Sequence, residues 1–130
     1  MLDTDVVIAA LDRGDAHHQA AARAVKRLAE AKTDLLLSAV NYAESLVRPA
    51  ENEQTMRAAV DAIASLRVRV VSPNAVIARD AAKYRGLGIS LADGFALATA
   101  VAHGATVASF DKRVRRVLPA ADLRLCEALG

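Results

Sequence analysis

The chain has 130 residues, a formal net charge of +2 and a pI near 9.0, with 54% hydrophobic residues and only 3% aromatic ones. That length fits one domain over residues 1–130, with an aliphatic core of Ala, Val, Leu and Ile. The single cysteine, Cys126, excludes an internal disulfide and any Cys-rich zinc site, and reads as a core residue. No apolar run approaches the ~18 residues that span a bilayer, and no basic region followed by an apolar one marks a secretory signal. The expectation is a cytoplasmic protein with no membrane partner, mildly basic and so open to an anionic one.

Met1-Leu2 forms a short first strand, ended by Asp3-Thr4-Asp5, before the apolar run Val6 to Leu11. After a turn at Arg13-Gly14-Asp15, Asp15 caps a predicted helix over 16–32. Residues 34–37 read as a buried strand. Ser38 is the N-cap of a helix carrying Val40, Ala43, Leu46 and Val47, limited by Pro49. A second amphipathic helix covers 52–66, and 68–71 is a strand. Pro73 is placed as the first residue of the next helix, ending near Gly86 or Gly88. Ser90 starts a helix that stops at His103-Gly104. A strand over 105–110, a short helix over 112–117 and a last strand over 123–125 complete the chain.

Strands that are continuous apolar runs, alternating with helices, predict a three-layer α/β/α fold. Its central sheet is mostly parallel and has about five short strands. In such sheets ligands bind beyond the carboxyl ends of the strands. Asp3 and Asp111 fall at strand ends on that edge, Asp93 opens a helix entering from it, and Glu44 lies on a helix leaving it. Four carboxylates at one place raise one another's pKa, and a divalent cation resolves the conflict.

Each acid also has an ordinary reading. Ser90-Leu91-Ala92-Asp93 has capping-box spacing, and Asp111 suits the N-cap of the helix after it. Glu44 borders the apolar stripe of its helix, where an Arg partner would satisfy it. Asp3 is the hardest to explain without a ligand, because it directly follows a strand where burial is expected. His17 and His18 read as solvent residues and His103 as a helix C-terminal residue favoured by the dipole. Lys112, Arg113, Arg115 and Arg116 are either a solvated run or phosphate contacts beside the acids.

Four segments carry a resemblance: Leu2 to Ile8, Ser38 to Ser45, Ile89 to Asp93, and Ala108 to Asp111. In order and spacing they resemble the PIN domain, and more narrowly the VapC toxins of bacterial toxin–antitoxin pairs. The resemblance implies a PIN-like fold and a Mg²⁺- or Mn²⁺-dependent endoribonuclease. Its acids carry over onto Asp3, Glu44, Asp93 and Asp111 as catalytic and metal-binding residues. Asp5 stands where the family commonly has Asn or Ser, and adds a fifth carboxylate as an auxiliary residue. Ser109 keeps the hydroxyl where Thr is frequent.

The implied mechanism activates water with one or two cations for in-line attack on an RNA phosphodiester, leaving a 5′-phosphate. The resemblance also implies a VapB-like antitoxin, a tRNA or rRNA substrate, and a homodimer. For the dimer, the Ala-rich helices at 52–66 and 76–84 offer surfaces. An antitoxin blocks such a site by placing a basic side chain among the carboxylates.

Two other readings compete. Asp3-Thr4-Asp5-Val6-Val7 fits the nucleophile motif of haloacid dehalogenase-like phosphatases, but Asp111 is followed by Lys112 and not by a second acid. The other is a non-catalytic module of the same fold that binds RNA or a protein partner.

Overall fold

A computed structural model describes residues 1–129. Its helices are α1 (Thr4–Leu11), α2 (His18–Glu30), α3 (Ala39–Leu46), α4 (Glu53–Ser65), α5 (Ala75–Arg85), α6 (Leu91–His103) and α7 (Lys112–Val117). Two strands, β1 (Leu35–Ser38) and β2 (Val68–Val71), pair in parallel with Leu35 opposite Val68.

The sheet continues beyond β1 through single-residue bridges. The Leu2 amide donates to the Leu36 carbonyl at 2.8 Å, which seats the N-terminal segment beside β1. Parallel bridges then join Leu2 to Ala108 and Val107 to Leu125. The order across the sheet is β2, β1, Leu2, Val107–Ala108 and Leu125. Two of the expected five strands are thus full strands. The other three shrink to segments joined by two single bridges, because Asp3 enters a helix at once and the 105–110 segment turns away after Ala108.

Side-chain alternation accounts for the three layers. Met1, Leu36 and Val107 enter one core cluster with Leu97 and Val114. Their chain neighbours Leu2, Leu37 and Ala108 enter a second with Val6, Val7 and Ile63. Successive strand residues point to opposite faces, so two clusters split residue by residue mean that both faces of the sheet are covered. Cys126 is buried in the second cluster, as its composition suggests.

Local signals set most helix ends. Ser38 accepts from the Val40 amide, and Ser90 with Asp93 forms a reciprocal capping box. Gly104 closes α6 in the left-handed region at φ 61°. Two expected starts move. Asp15 forms a turn, accepting from the His17 amide at 2.8 Å, and α2 begins at His18 without a side-chain cap. Pro73 lies outside α5, whose N-cap is Asn74, accepting from the Ile77 amide at 3.0 Å.

The helix bearing Asp93 is seated by close packing. A Cβ on Gly94 would lie 2.6 Å from the Ala81 carbonyl oxygen of α5. Only glycine lets the two backbones approach so far. Among the described residues, no helix is long and apolar enough to cross a membrane.

Candidate active site

The acids gather at the carboxyl edge of the sheet. Asp3 is 2% exposed and caps α1, accepting from the Thr4 amide at 2.9 Å. Its other oxygen accepts from the hydroxyl of Ser109, itself fully buried, at 2.8 Å. Burial, reinforced by the nearby Asp5 and Asp93 carboxylates, pushes Asp3 up to about 7 against the pull of these two hydrogen bonds. The expectation of a buried first acid therefore holds, and of the like charges expected around Asp3 the Asp93 carboxylate is the one that acts on it, together with Asp5.

Asp5 belongs to the same centre. Its Oδ2 accepts from the Phe110 amide at 2.9 Å, while its Oδ1 is buried with no hydrogen-bond partner. Burial raises its pKa above the ordinary carboxylate value, and the neighbouring Asp111 adds to this. The α1 register explains the placement. Asp3 is the N-cap and Asp5 lies in the first turn of a helix that starts immediately at the sheet edge.

Glu44 is exposed, and its partner is a hydroxyl rather than an Arg: Thr4 Oγ1 donates to Glu44 Oε1 at 2.5 Å. Behind that pair lies fully buried Asn41, whose Nδ2 donates to Thr4 Oγ1 at 3.1 Å and to the Ala92 carbonyl at 3.2 Å. One amide side chain thus ties α3 to α1 and to the first turn of α6, next to Asp93. Sequence reasoning missed Asn41. The available signal was its i, i+4 spacing to Ser45, since both are polar residues on the buried face of α3.

Asp93 and Asp111 both take the capping roles read from the sequence. Asp93 Oδ2 accepts from the Ser90 amide at 3.3 Å within its capping box, and the side chain is half-buried beside Asp3. Asp111 caps α7, accepting from the Arg113 amide at 2.8 Å, and pairs with the Arg113 guanidinium at 3.5 Å. Its own amide donates to Ser109 Oγ at 3.1 Å.

The basic cluster divides. Arg115 Nε donates to the Ser109 carbonyl at 2.7 Å and supports the loop, and Arg113 faces Asp111. Lys112 and Arg116 are exposed. The two histidines also separate. His18 is half-buried and its Nδ1 lies 2.7 Å from the Ala9 carbonyl, so it links α2 to α1 and is not a solvent residue. His17 is exposed but meets the Phe110 ring. His103 ends α6 in solvent, as expected.

The model of the PIN domain matches residues 1–118. The chain belongs to the PIN domain family.

Two solved structures share this PIN fold. FitAcB from Neisseria gonorrhoeae aligns with a TM-score of 0.70 at 24% identity, covering 98% of this chain and 96% of that one. VapC20 of Mycobacterium tuberculosis, described as a sarcin-ricin loop cleaving toxin, aligns with a TM-score of 0.69 at 23% identity, covering 89% of this chain and 92% of that one. No curated protein matches the sequence. Membership of the PIN family sets aside the phosphatase alternative, and Asp3 and Asp5 are read as members of this edge cluster.

Proposed function

We infer that this PIN domain, over residues 1–130, is a divalent-metal-dependent endoribonuclease and the toxin of a type II toxin–antitoxin pair. It hydrolyses RNA phosphodiester bonds and so inhibits translation and growth. The observation that carries this reading is the convergence of buried Asp3 with half-buried Asp5 and Asp93 at one sheet edge, with one buried Asp5 oxygen left without a partner.

The donor set fits Mg²⁺ or Mn²⁺, hard cations that prefer carboxylate and water oxygens. Among the described residues no three such side chains form a ready cage, and Mg²⁺ is ordinarily held by one or two carboxylates with several waters. Asp3 and Asp93 would hold it, with Glu44 and Asp111 outside them and Asp5 as an auxiliary acceptor. When bound, the cation lowers the pKa of water and offsets charge on the phosphate.

The chain's own residues prepare the site. Ser109 and the Thr4 amide fix the Asp3 carboxylate. Asn41 and Thr4 orient Glu44. Asp5 fixes the loop at Phe110 that leads to Asp111. Lys112 and Arg116 are free to meet RNA phosphates, whereas Arg113 reaches them only by leaving Asp111 and Arg115 acts through the loop.

The partners follow from the same reading. A cognate VapB-like antitoxin finds an apolar concavity of about 420 Å³ beside Glu44, lined by Ile8, Leu11, Ala59 and Ala62. A basic side chain from a segment lying there can reach the acids. Exposed Val76 on α5 and Leu91 and Val101 on α6 support a homodimer. The RNA is a tRNA or an rRNA, a reading supported by VapC20 being described as a sarcin-ricin loop cleaving toxin, and the compartment is the cytoplasm.

The test is cleavage of total cellular RNA with Mn²⁺ by wild-type, Asp3→Asn and Asp93→Asn proteins. Both variants lose activity on this reading; undiminished cleavage by both overturns the site. Calorimetric titration with Mn²⁺ separates the enzyme from a binding-only module, which has no need of the ion.

A further inference from the structure

The rings of His17 and Phe110 meet with centroids 4.3 Å apart and planes inclined at 51°. In a chain with two Phe, two Tyr and no Trp, this pair stands at the rim of the acid cluster. Phe110 lies between Ser109, which holds Asp3, and Asp111, and its own amide is bound by Asp5. The backbone that carries the ring is therefore fixed relative to the acids. His17 is held from the other side by the Asp15 turn and by the His18 link to Ala9.

The pair borders an open concavity of about 500 Å³, shared with Asp5, Ile8 and Asp111. Its chemistry selects among the parts of a nucleotide. Carboxylates from Asp5, Asp15 and Asp111 line it, so a phosphate is repelled there. A neutral base with a π-face is not. His17 remains exposed and Phe110 only half-buried, so an aromatic surface faces the cavity. Bases splayed from single strands stack on such side chains.

Resting on the ribonuclease reading above, we propose that His17 and Phe110 form a stacking platform for one unpaired nucleobase next to the scissile phosphate. The platform restricts cleavage to unpaired or splayed-out nucleotides. His17 and Phe110 act on substrate positioning and not on proton transfer.

The test uses a single-stranded oligoribonucleotide that wild-type protein cleaves with Mn²⁺, and the same oligonucleotide with an abasic residue at each position flanking the cut. His17→Ala and Phe110→Leu are expected to raise KM about tenfold or more, as loss of one base stack does, with kcat within about twofold. His17→Phe restores KM. One abasic position reproduces the same rise with the intact protein, independently of whether the Phe110 variant folds. In the Asp3→Asn background, 2-aminopurine at that position is quenched on binding, and His17→Ala abolishes the quenching. If wild type cleaves but neither His17→Ala nor any abasic substrate changes KM, the platform is overturned while the ribonuclease reading stands. If wild type cleaves no RNA, both fall.

Discussion

The Ser109 hydroxyl donates to the buried Asp3 carboxylate at 2.8 Å across 106 positions of the chain, and accepts from the Asp111 amide at 3.1 Å. One small side chain thereby connects the first acid of the site to the last. The hydrogen bond to Asp3 favours its charged form. Ser109→Ala removes it, so the Asp3 pKa rises further. At fixed Mn²⁺ the acidic limb of the cleavage profile should move to higher pH, with a stability loss of about 1–3 kcal/mol for the unsatisfied buried group. A pH–rate series beside a urea melt checks both; an unmoved limb argues against Ser109 tuning Asp3.

Asp3 weakens the fold that presents it. Its pKa is raised from 3.8 to about 7 in the folded protein, so the native state binds the proton more tightly than the unfolded chain. Below about pH 4 both states are protonated and Asp3 costs nothing. As pH rises from there to about 7 the unfolded chain loses its proton first, and stability falls until the full cost is reached above 7. Asp3→Asn, which keeps an N-cap acceptor, should therefore be more stable than wild type at pH 8 by roughly a few kcal/mol. That gain should vanish toward pH 4. Denaturant midpoints across this range measure it, and a pH-independent difference contradicts the assignment.

A cation that binds the native acids adds stability by mass action, about 2.7 kcal/mol at a concentration 100 times its Kd. Millimolar Mn²⁺ should raise the Tm of the wild-type protein, EDTA should reverse the rise, and Asp3→Asn should show little of it. Because the like charges of Asp3, Asp5 and Asp93 are the feature being offset, the rise should be larger at pH 8 than at pH 5. Equal shifts in wild type and variant indicate binding elsewhere.

Gly94 governs how α6 is seated. Its Cβ position falls 2.6 Å from the Ala81 carbonyl oxygen, which as backbone cannot swing aside. Gly94→Ala should cost about 1–3 kcal/mol, as overpacking does. It should also reduce cleavage, because Asp93 is its neighbour in the first turn. Ala98→Gly, at another buried position of the same helix, should lower stability by about 1 kcal/mol through helix propensity and alter cleavage less. Thermal melts paired with cleavage rates distinguish the two.

Much of this architecture is legible in the residue order, because the signals are local. The caps at Ser38, Ser90 and Asp111 and the stop at Gly104 each depend on residues within one helical turn. The alternation of strands and helices, and the rule that ligands gather at carboxyl ends of parallel strands, then bring Asp3, Glu44, Asp93 and Asp111 to one edge. Burial of Asp3 follows from its place directly after an apolar strand.

Side-chain identity along the chain carries no measure of distance across it, so only tertiary structure decided the rest. Sheet register puts Ala108 beside Leu2 and thus Ser109 against Asp3. The rotation of α1 turns Asp5 inward toward the Phe110 amide, a partner 105 positions away. Glu44 found Thr4 instead of an Arg, because packing of α3 against α1 places the hydroxyl there and leaves the carboxylate at the surface. The helix start at His18 was settled by the Asp15 turn that competed with the cap proposed from sequence, and the start at Ala75 by the side chain of Asn74, which caps α5 one residue beyond Pro73. Short-range periodicity and capping were enough to place the helices and the β1–β2 pair, while the segments at Leu2, Val107–Ala108 and Leu125 shortened to bridges. Which acids are buried together, and which polar groups hold them there, was decided by long-range packing, where burial and like charge act over a few ångströms between residues far apart in the chain.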